Sequence, residues 1–242
     1  MLVLLTGASG TIGSAFVDLV EEAVEVGGAF QVRRADLVDA RPGHRHPFVR
    51  LDVTDPAACR AACVGVDAVV HLAADPSPSA DFRSIVLPVN VVGTYNMVEA
   101  AVAEGVRRFV FASSAQAVEG YPLDHQIREA DAPRPRNDYG VGKAFGEALC
   151  AAAATRGATT FVSVRIAFYA DEPPGPEASL RDRSAWISPR DAVQLLSLAV
   201  TAPVEGHVVA HGVSDNATKR LSIDATRRSL GYAPVDDAFA RP

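Results

Sequence analysis

The sequence predicts a doubly wound parallel α/β sheet, and three observations carry that reading. Short apolar runs alternate with longer helical patterns through the first two-thirds of the chain, the first run opens directly into the glycine-rich turn "GASGTIG", and the turn leads straight into a helix. Strands separated by helices of that length need right-handed crossovers and a parallel sheet covered on both faces.

Taken in order, the runs place strands at 2–6 (LVLLT), 29–35 (AFQVRRA), 48–51, 68–72 (AVVHL), 108–113 (RFVFAS) and 160–166 (TFVSVRI). Their β-branched and aromatic content, without period-2 alternation, fits strands buried on both faces. Helical patterns lie between them at 11–25, 55–63, 82–104 and 138–156. After residue 167, "YADEPPGPEASLRDRS" is rich in proline, charge and small residues and reads as a long irregular loop. A helix at 189–201, a short strand at 207–210 and a last helix within 218–229 follow. Residues 1–166 are thus a nucleotide-binding unit, and residues 167–242 supply a lid loop and a small substrate-binding lobe of the same domain. In such sheets ligands sit beyond the carboxyl ends of the strands, where this loop begins.

The chain has 242 residues, 48% hydrophobic and 21% charged, with a net charge of −6. Those values suit a globular domain and exclude a nucleic-acid groove or an anionic membrane surface as the main partner. No run reaches the ~20 apolar residues of a membrane span, and the N-terminus lacks the basic start of a signal peptide, so a cytoplasmic protein is expected. Cys59, Cys63 and Cys150 cannot form a disulfide framework and read as buried helix residues. His44 and His46 read as solvated loop residues, and no metal site is expected. His71, ending the fourth strand, is expected to pack behind the cofactor loop.

Gly7, Gly10 and Gly13 have the spacing that a tight turn, close approach of a pyrophosphate to bare backbone and close helix–strand packing require. The helix N-terminus adds free N–H donors. Gly7, Ser9, Gly10, Thr11, Ile12 and Gly13 are the candidate phosphate-binding set of a Rossmann-type unit. Asp36, at the end of the second strand, can accept hydrogen bonds from both ribose hydroxyls and repel a 2′-phosphate, which favours NAD over NADP. Arg33 or Arg34 would weaken that preference if turned toward the ribose.

In "DYGVGK" (138–143), Tyr139 and Lys143 share one helix face, one turn apart. An ammonium beside a phenol lowers the phenol's pKa, so Tyr139 is a candidate base and Lys143 its modulator and a ribose ligand. Gly140 and Gly142 weaken this first turn and imply a close packing requirement.

With the glycine loop, Asp36, "LDVTD" (51–55), "HLAA" (71–74), Asn90 in "VNVVGTYN", "FASS" (111–114) and YxxxK, the chain resembles the short-chain dehydrogenase/reductase family in its extended, NAD-dependent epimerase/dehydratase-like branch. The resemblance implies that Asp52 and Val53 border adenine, that Leu72, Ala73 and Ala74 lie over the cofactor, and that Ile166 joins the cofactor set. It also implies that Asn90 supports the cofactor-side loop and that Ser114, 25 residues before Tyr139, hydrogen-bonds the reacting oxygen. Relatives often form dimers through the helices at 82–104 and 138–156, so a homo-oligomer is expected.

Within the branch, nucleotide-sugar enzymes usually carry a larger C-terminal part than the about 75 residues after the sixth strand here. Ala115 and Gln116 stand where dehydratases carry an Asp-Glu pair, so dehydration is disfavoured. "YGVGK" and "SLRDRSAWISPRDAV" (179–193) look most like the compact uronate dehydrogenase-like subgroup. That likeness implies an arginine, Arg181 by spacing or else Arg183, that holds a substrate carboxylate. Trp186 and Ile187 would anchor the lid. Ala115, Gln116 and Phe168 replace polar residues of the subgroup and imply a less hydroxylated or more apolar substrate than a hexuronate, while Arg165 reads as structural. The expected function is NAD-dependent hydride transfer from a secondary alcohol or lactol carbon of a small, sugar-acid-like substrate. Epimerisation by the same residues and cofactor sensing without catalysis are the alternatives.

Overall fold

The computed structural model describes residues 1–24, 31–39, 41 and 44–240. Seven strands, β1 (Leu2–Thr6), β2 (Gln31–Asp36), β3 (Phe48–Arg50), β4 (Ala68–His71), β5 (Arg108–Ser114), β6 (Thr160–Ile166) and β9 (His207–Gly212), form one all-parallel sheet. Their order is β3-β2-β1-β4-β5-β6-β9, so the direction of winding reverses between β1 and β4. The expected helix end at 25 and the first two residues of the expected strand 29–35 lie outside the described residues.

Helices cover both faces. Helices α1 (Thr11–Val24), α6 (Pro189–Thr201) and α7 (Asp224–Leu230) bury Phe16, Val17, Leu195, Leu196 and Leu230 against one face. On the other face, α2 (Pro56–Cys63), α3 (Gly93–Ala103) and α4 (Asp138–Ala154) enclose Cys59, Cys63, Met97, Cys150 and the rings of Phe109, Phe111 and Phe161. Val3, Leu4, Leu5, Val69, Val70, Val110 and Val162 are fully buried, as continuous apolar strands in a doubly covered sheet require. Each such side chain contributes about 1.5–3 kcal/mol through burial. The three cysteines are buried as expected, and burial pushes each thiol up to about 12.

The helix expected at 82–104 divides in two. From Phe82 to Val92 the chain winds widely, with the amide of Val86 bonding the carbonyl of Asp81 and that of Gly93 bonding the carbonyl of Pro88, before α3 takes up the regular repeat. Pro88 has no N–H to give a regular helix, and the wider winding accommodates it. Together, Phe82–Ala103 is long and apolar enough to cross a membrane by length and composition, but half of its most apolar 18 residues are buried within the protein.

The segment expected to be an irregular loop is more ordered than its composition suggests. It contains β7 (Phe168–Tyr169), paired in parallel with β8 (Trp186–Ile187), and the short helix α5 (Leu180–Ala185). Ser179 caps α5 by accepting from the Asp182 amide, and the Trp186 indole donates to the carbonyl of Ala170 at 3.0 Å, so Trp186 and Ile187 anchor the segment. The chain beyond 166 is no appendage, because β9 completes the main sheet beside β6.

Candidate active site

At the turn between β1 and α1, Gly7 has φ +71°, and a Cβ there would lie 2.7 Å from the backbone nitrogen of Ala73. A Cβ on Gly13 would lie 2.2 Å from the Gly7 carbonyl oxygen. Gly10, by contrast, is exposed toward the groove. The turn therefore sits tight against β4 and α1 and leaves bare backbone facing outward, which is the cradle a pyrophosphate needs.

A groove runs from this turn over Asp36, Leu51, Asp52, Val53, Leu72, Ala73 and Ala74. The Asp36 carboxylate accepts from the amides of Ser9 at 2.9 Å and Leu37 at 2.7 Å. Neither preceding arginine turns to it. Arg33 donates to the carbonyls of Ala62 and Val64, and Arg34 is buried, paired with Asp39 at 2.8 Å and bonded to the carbonyl of His46. Asp52 accepts from the amide and hydroxyl of Thr54, which hold its carboxyl below the usual range.

Beyond the glycine turn lies a cavity of about 510 Å³, which shares Gly7, Gly10, Leu72 and Ala74 with the groove. Thr11, Ile12, Gly13, Ser114, Ala115, Gln116, Tyr139, Lys143, Ile166, Phe168 and Arg181 all line it. Asn90, like the alternative Arg183, is set back from both spaces. It is buried, and its amide oxygen accepts from the Asp75 N–H at 2.8 Å while its amide nitrogen donates to the Asp75 carbonyl at 3.0 Å. Its contact with the cofactor side is therefore made through the loop after β4.

Helix α4 starts at Asn137, whose side chain accepts from the Gly140 amide at 2.7 Å. The two glycines serve packing: a Cβ on Gly140 would meet the Gln116 carbonyl at 2.4 Å, and one on Gly142 would press on Val86 at 3.2 Å. The Ser114 hydroxyl lies beside the Tyr139 phenol and favours its ionised form. The Lys143 ammonium donates to the carbonyl of Ala112 at 2.7 Å and lies 5.4 Å from the centre of the Tyr139 ring.

The electrostatics differ from the expectation of a lowered phenol. Burial raises the Tyr139 pKa, opposed by the Ser114 hydroxyl and reinforced by Asp75, while burial lowers Lys143 to about 8. In the protein alone, desolvation outweighs the pull of the Ser114 hydroxyl. With a pKa of about 8, Lys143 is still mostly protonated at neutral pH but loses its proton not far above it.

The polar residues around the site resolve several sequence-based alternatives. Arg165 is structural, its guanidinium paired with Glu147 at 2.8 Å in a buried bridge that ties β6 to α4. Arg183 lies over the ring of Phe239 and bonds the Ala238 carbonyl, away from the cavity, so Arg181 is the arginine that reaches it. The guanidinium of Arg181 is paired with Glu119, a residue the sequence did not single out. His71 packs between Thr6 and Thr94 behind the glycine turn, as expected. His46 is not solvated but buried, stacked on His44.

The model of the NAD dependent epimerase/dehydratase family matches residues 3–170. The NAD-dependent glucose-6-phosphate dehydrogenase of Haloferax volcanii is 37% identical over 98% of this chain and 94% of its own length. The L-arabinose 1-dehydrogenase (NAD(P)(+)) of the same organism is 34% identical over 98% of this chain and 97% of its own. Among solved structures, a tyrosine-to-alanine mutant of uronate dehydrogenase from Agrobacterium tumefaciens, complexed with NAD, superposes with a TM-score of 0.85 at 32% identity, covering 98% of this chain and 85% of that one. By family model, full-length relatives and fold together, this chain belongs to the NAD dependent epimerase/dehydratase family.

Proposed function

We propose that this chain is an NAD-dependent dehydrogenase that oxidises a lactol or secondary alcohol carbon of a small sugar-like substrate. The observation that carries the reading is the meeting of Tyr139, Ser114 and Lys143 on one wall of a cavity continuous with the nucleotide groove. The relatives are named for a sugar phosphate, a sugar and a sugar acid, which fits a cavity of this size.

The glycine turn, with Ser9, Thr11 and Ile12, holds the pyrophosphate. Asp36 takes the adenosine ribose, and Asp52 and Val53 border the adenine. Leu72, Ala73, Ala74 and Ile166 flank the dinucleotide, and Lys143 holds the second ribose. NAD, when bound, supplies the hydride acceptor. Ser114 orients the substrate hydroxyl, and Tyr139 removes its proton as the adjacent carbon is oxidised, so an alcohol yields a ketone and a lactol yields a lactone. The Lys143 ammonium favours the phenolate against the burial that opposes it, and the positive charge of oxidised NAD, when bound, would add to this. Ala115, Gln116, Phe168 and Arg181 face the remainder of the substrate. Asp36, with Arg33 and Arg34 turned away, favours NAD over NADP.

The helices at 82–103 and 138–154 leave Leu87, Val92, Tyr95, Val141 and Phe145 exposed. We infer that they form the contact of a homodimer.

Purified protein supplied with NAD and a panel of aldoses, uronic acids and polyols is expected to accumulate NADH. Isomer formation without NADH would establish epimerisation instead. Tight NAD binding with no turnover across the panel would establish a cofactor sensor.

A further inference from the structure

Two cationic side chains line the described cavity, Lys143 and Arg181. Lys143 sits at the reacting end, committed to the Ala112 carbonyl. Arg181 is therefore the group that meets the far end of a substrate. Its fork is already filled: Nε donates to Glu119 Oε1 at 3.1 Å, Nη2 pairs with Glu119 Oε2 at 2.8 Å, and Nη1 donates to Asp182 Oδ1 at 2.7 Å. This is the two-point geometry in which a guanidinium would take a ligand carboxylate. The Glu119 side chain is only 15% exposed, so solvent screens this pair little.

Glu119 and Asp182 offset the charge of Arg181 and of the nearby buried Arg220, so an incoming carboxylate or phosphate would find the paired donors of Arg181 taken and its charge already balanced. A guanidinium has five N–H donors. With three used, one remains on each terminal nitrogen, enough to meet neutral oxygens singly. The neighbouring wall agrees. Phe168, Pro76, Pro78 and Ala185 are apolar, and the Tyr169 hydroxyl is buried without a hydrogen-bond partner among the described residues. An unmatched phenol there suits a ligand hydroxyl.

We propose that Glu119 sets the charge class of the substrate: by filling the Arg181 fork with the protein's own carboxylate, it makes the cavity one for a neutral aldose in its lactol form and turns away sugars that carry a carboxylate or phosphate at that end. The pairing also holds α5, and with it the lid segment, to the loop after β5. Selectivity of this kind works by refusing the wrong ligand as much as by holding the right one. The proposal rests on the dehydrogenase reading above and adds the identity of the residue that decides between neutral and anionic sugars.

The test compares kcat/KM for glucose with that for glucuronate and glucose 6-phosphate, and galactose with galacturonate, in the wild type and in Glu119→Gln. Glutamine keeps the size and the acceptor oxygen but removes the charge. The wild type is expected to prefer the neutral member of each pair by about tenfold or more, and Glu119→Gln to shrink that preference by about tenfold, chiefly through a lower KM for the anion. A wild-type preference for the anionic sugars, or a ratio unmoved by Glu119→Gln, overturns the proposal. Sugar-induced thermal shifts of both proteins with NAD present read the same ratio without turnover. Absence of NADH with all the sugars would then count against the dehydrogenase reading, while the shift ratio still decides the role of Glu119. An unliganded melting temperature of Glu119→Gln close to the wild type's confirms that the variant is folded.

Discussion

At the residue scale, the site is a contest between burial and charge. Tyr139 must lose a proton in surroundings that raise its pKa, so kcat/KM for oxidation should rise with pH above neutrality. The Lys143 ammonium, with a pKa of about 8, helps only while it is protonated. Replacing Lys143 by methionine removes that help, and the rising limb should move to higher pH; an unmoved limb in the pH–rate profile would show that the lysine acts on cofactor binding alone. Asp36 decides the cofactor by repelling a 2′-phosphate, so Asp36→Ala should raise the NADP-to-NAD ratio of kcat/KM by about tenfold or more. The reacting residues were legible in the sequence because the chemistry demands particular types at particular spacings: the glycines, Asp36, Ser114, Tyr139 and Lys143 all reach the groove or the cavity. Glu119 was not, since in sequence it is an ordinary loop carboxylate 62 positions from Arg181, and only the fold brings the two together.

At the element scale, α4 carries both Tyr139 and Lys143, and its position depends on what fastens it. Glu147 on α4 binds Arg165 on β6 and accepts from the Ser113 hydroxyl at 2.5 Å, all in the buried interior. Truncating Glu147 to alanine leaves a buried guanidinium without its partner and should cost about 3–5 kcal/mol, read as a fall in the midpoint of denaturant unfolding. One residue earlier, a Cβ on Gly146 would sit 2.2 Å from the Phe111 ring. Gly146→Ala should therefore destabilise, by about 1–3 kcal/mol, despite alanine's better helix propensity. The strands of the main sheet were readable because each is a continuous apolar run flanked by turn residues. The two-residue strands β7 and β8 carry no period to detect, and α5 begins in a stretch whose prolines and charges look like loop. Pro88, inside an otherwise helical pattern, was the available sign that the helix at 82–104 could not be regular throughout.

For the whole molecule, acid should be the weakness. Burial lowers His71 to about 3 and His211 to about 4, from 6.5 for both. Below that ordinary value the unfolded chain takes up protons that the folded chain refuses, so stability falls as pH drops from about 6.5 to about 4, by up to about 1.4 kcal/mol per pH unit for each histidine. Urea unfolding followed across that range checks the slope, and a flat profile would mean that neither imidazole is held neutral by the fold. The sheet order places the glycine turn at the reversal between β1 and β4, and the lid segment leaves β6 above it, so nucleotide groove and substrate cavity meet where winding changes direction. That much followed from alternating strands and helices. The pairing of Arg181 did not, because the sequence marks the arginine on the lid but not the Glu119 carboxylate that the fold brings to it.

The most direct measurement is NADH formation from aldoses by the wild type and by Tyr139→Phe, which keeps the ring and removes the hydroxyl. The account predicts steady NADH accumulation by the wild type and a loss of about 10²–10⁴-fold in kcat for the variant, with NAD binding retained. Full activity in Tyr139→Phe would contradict it.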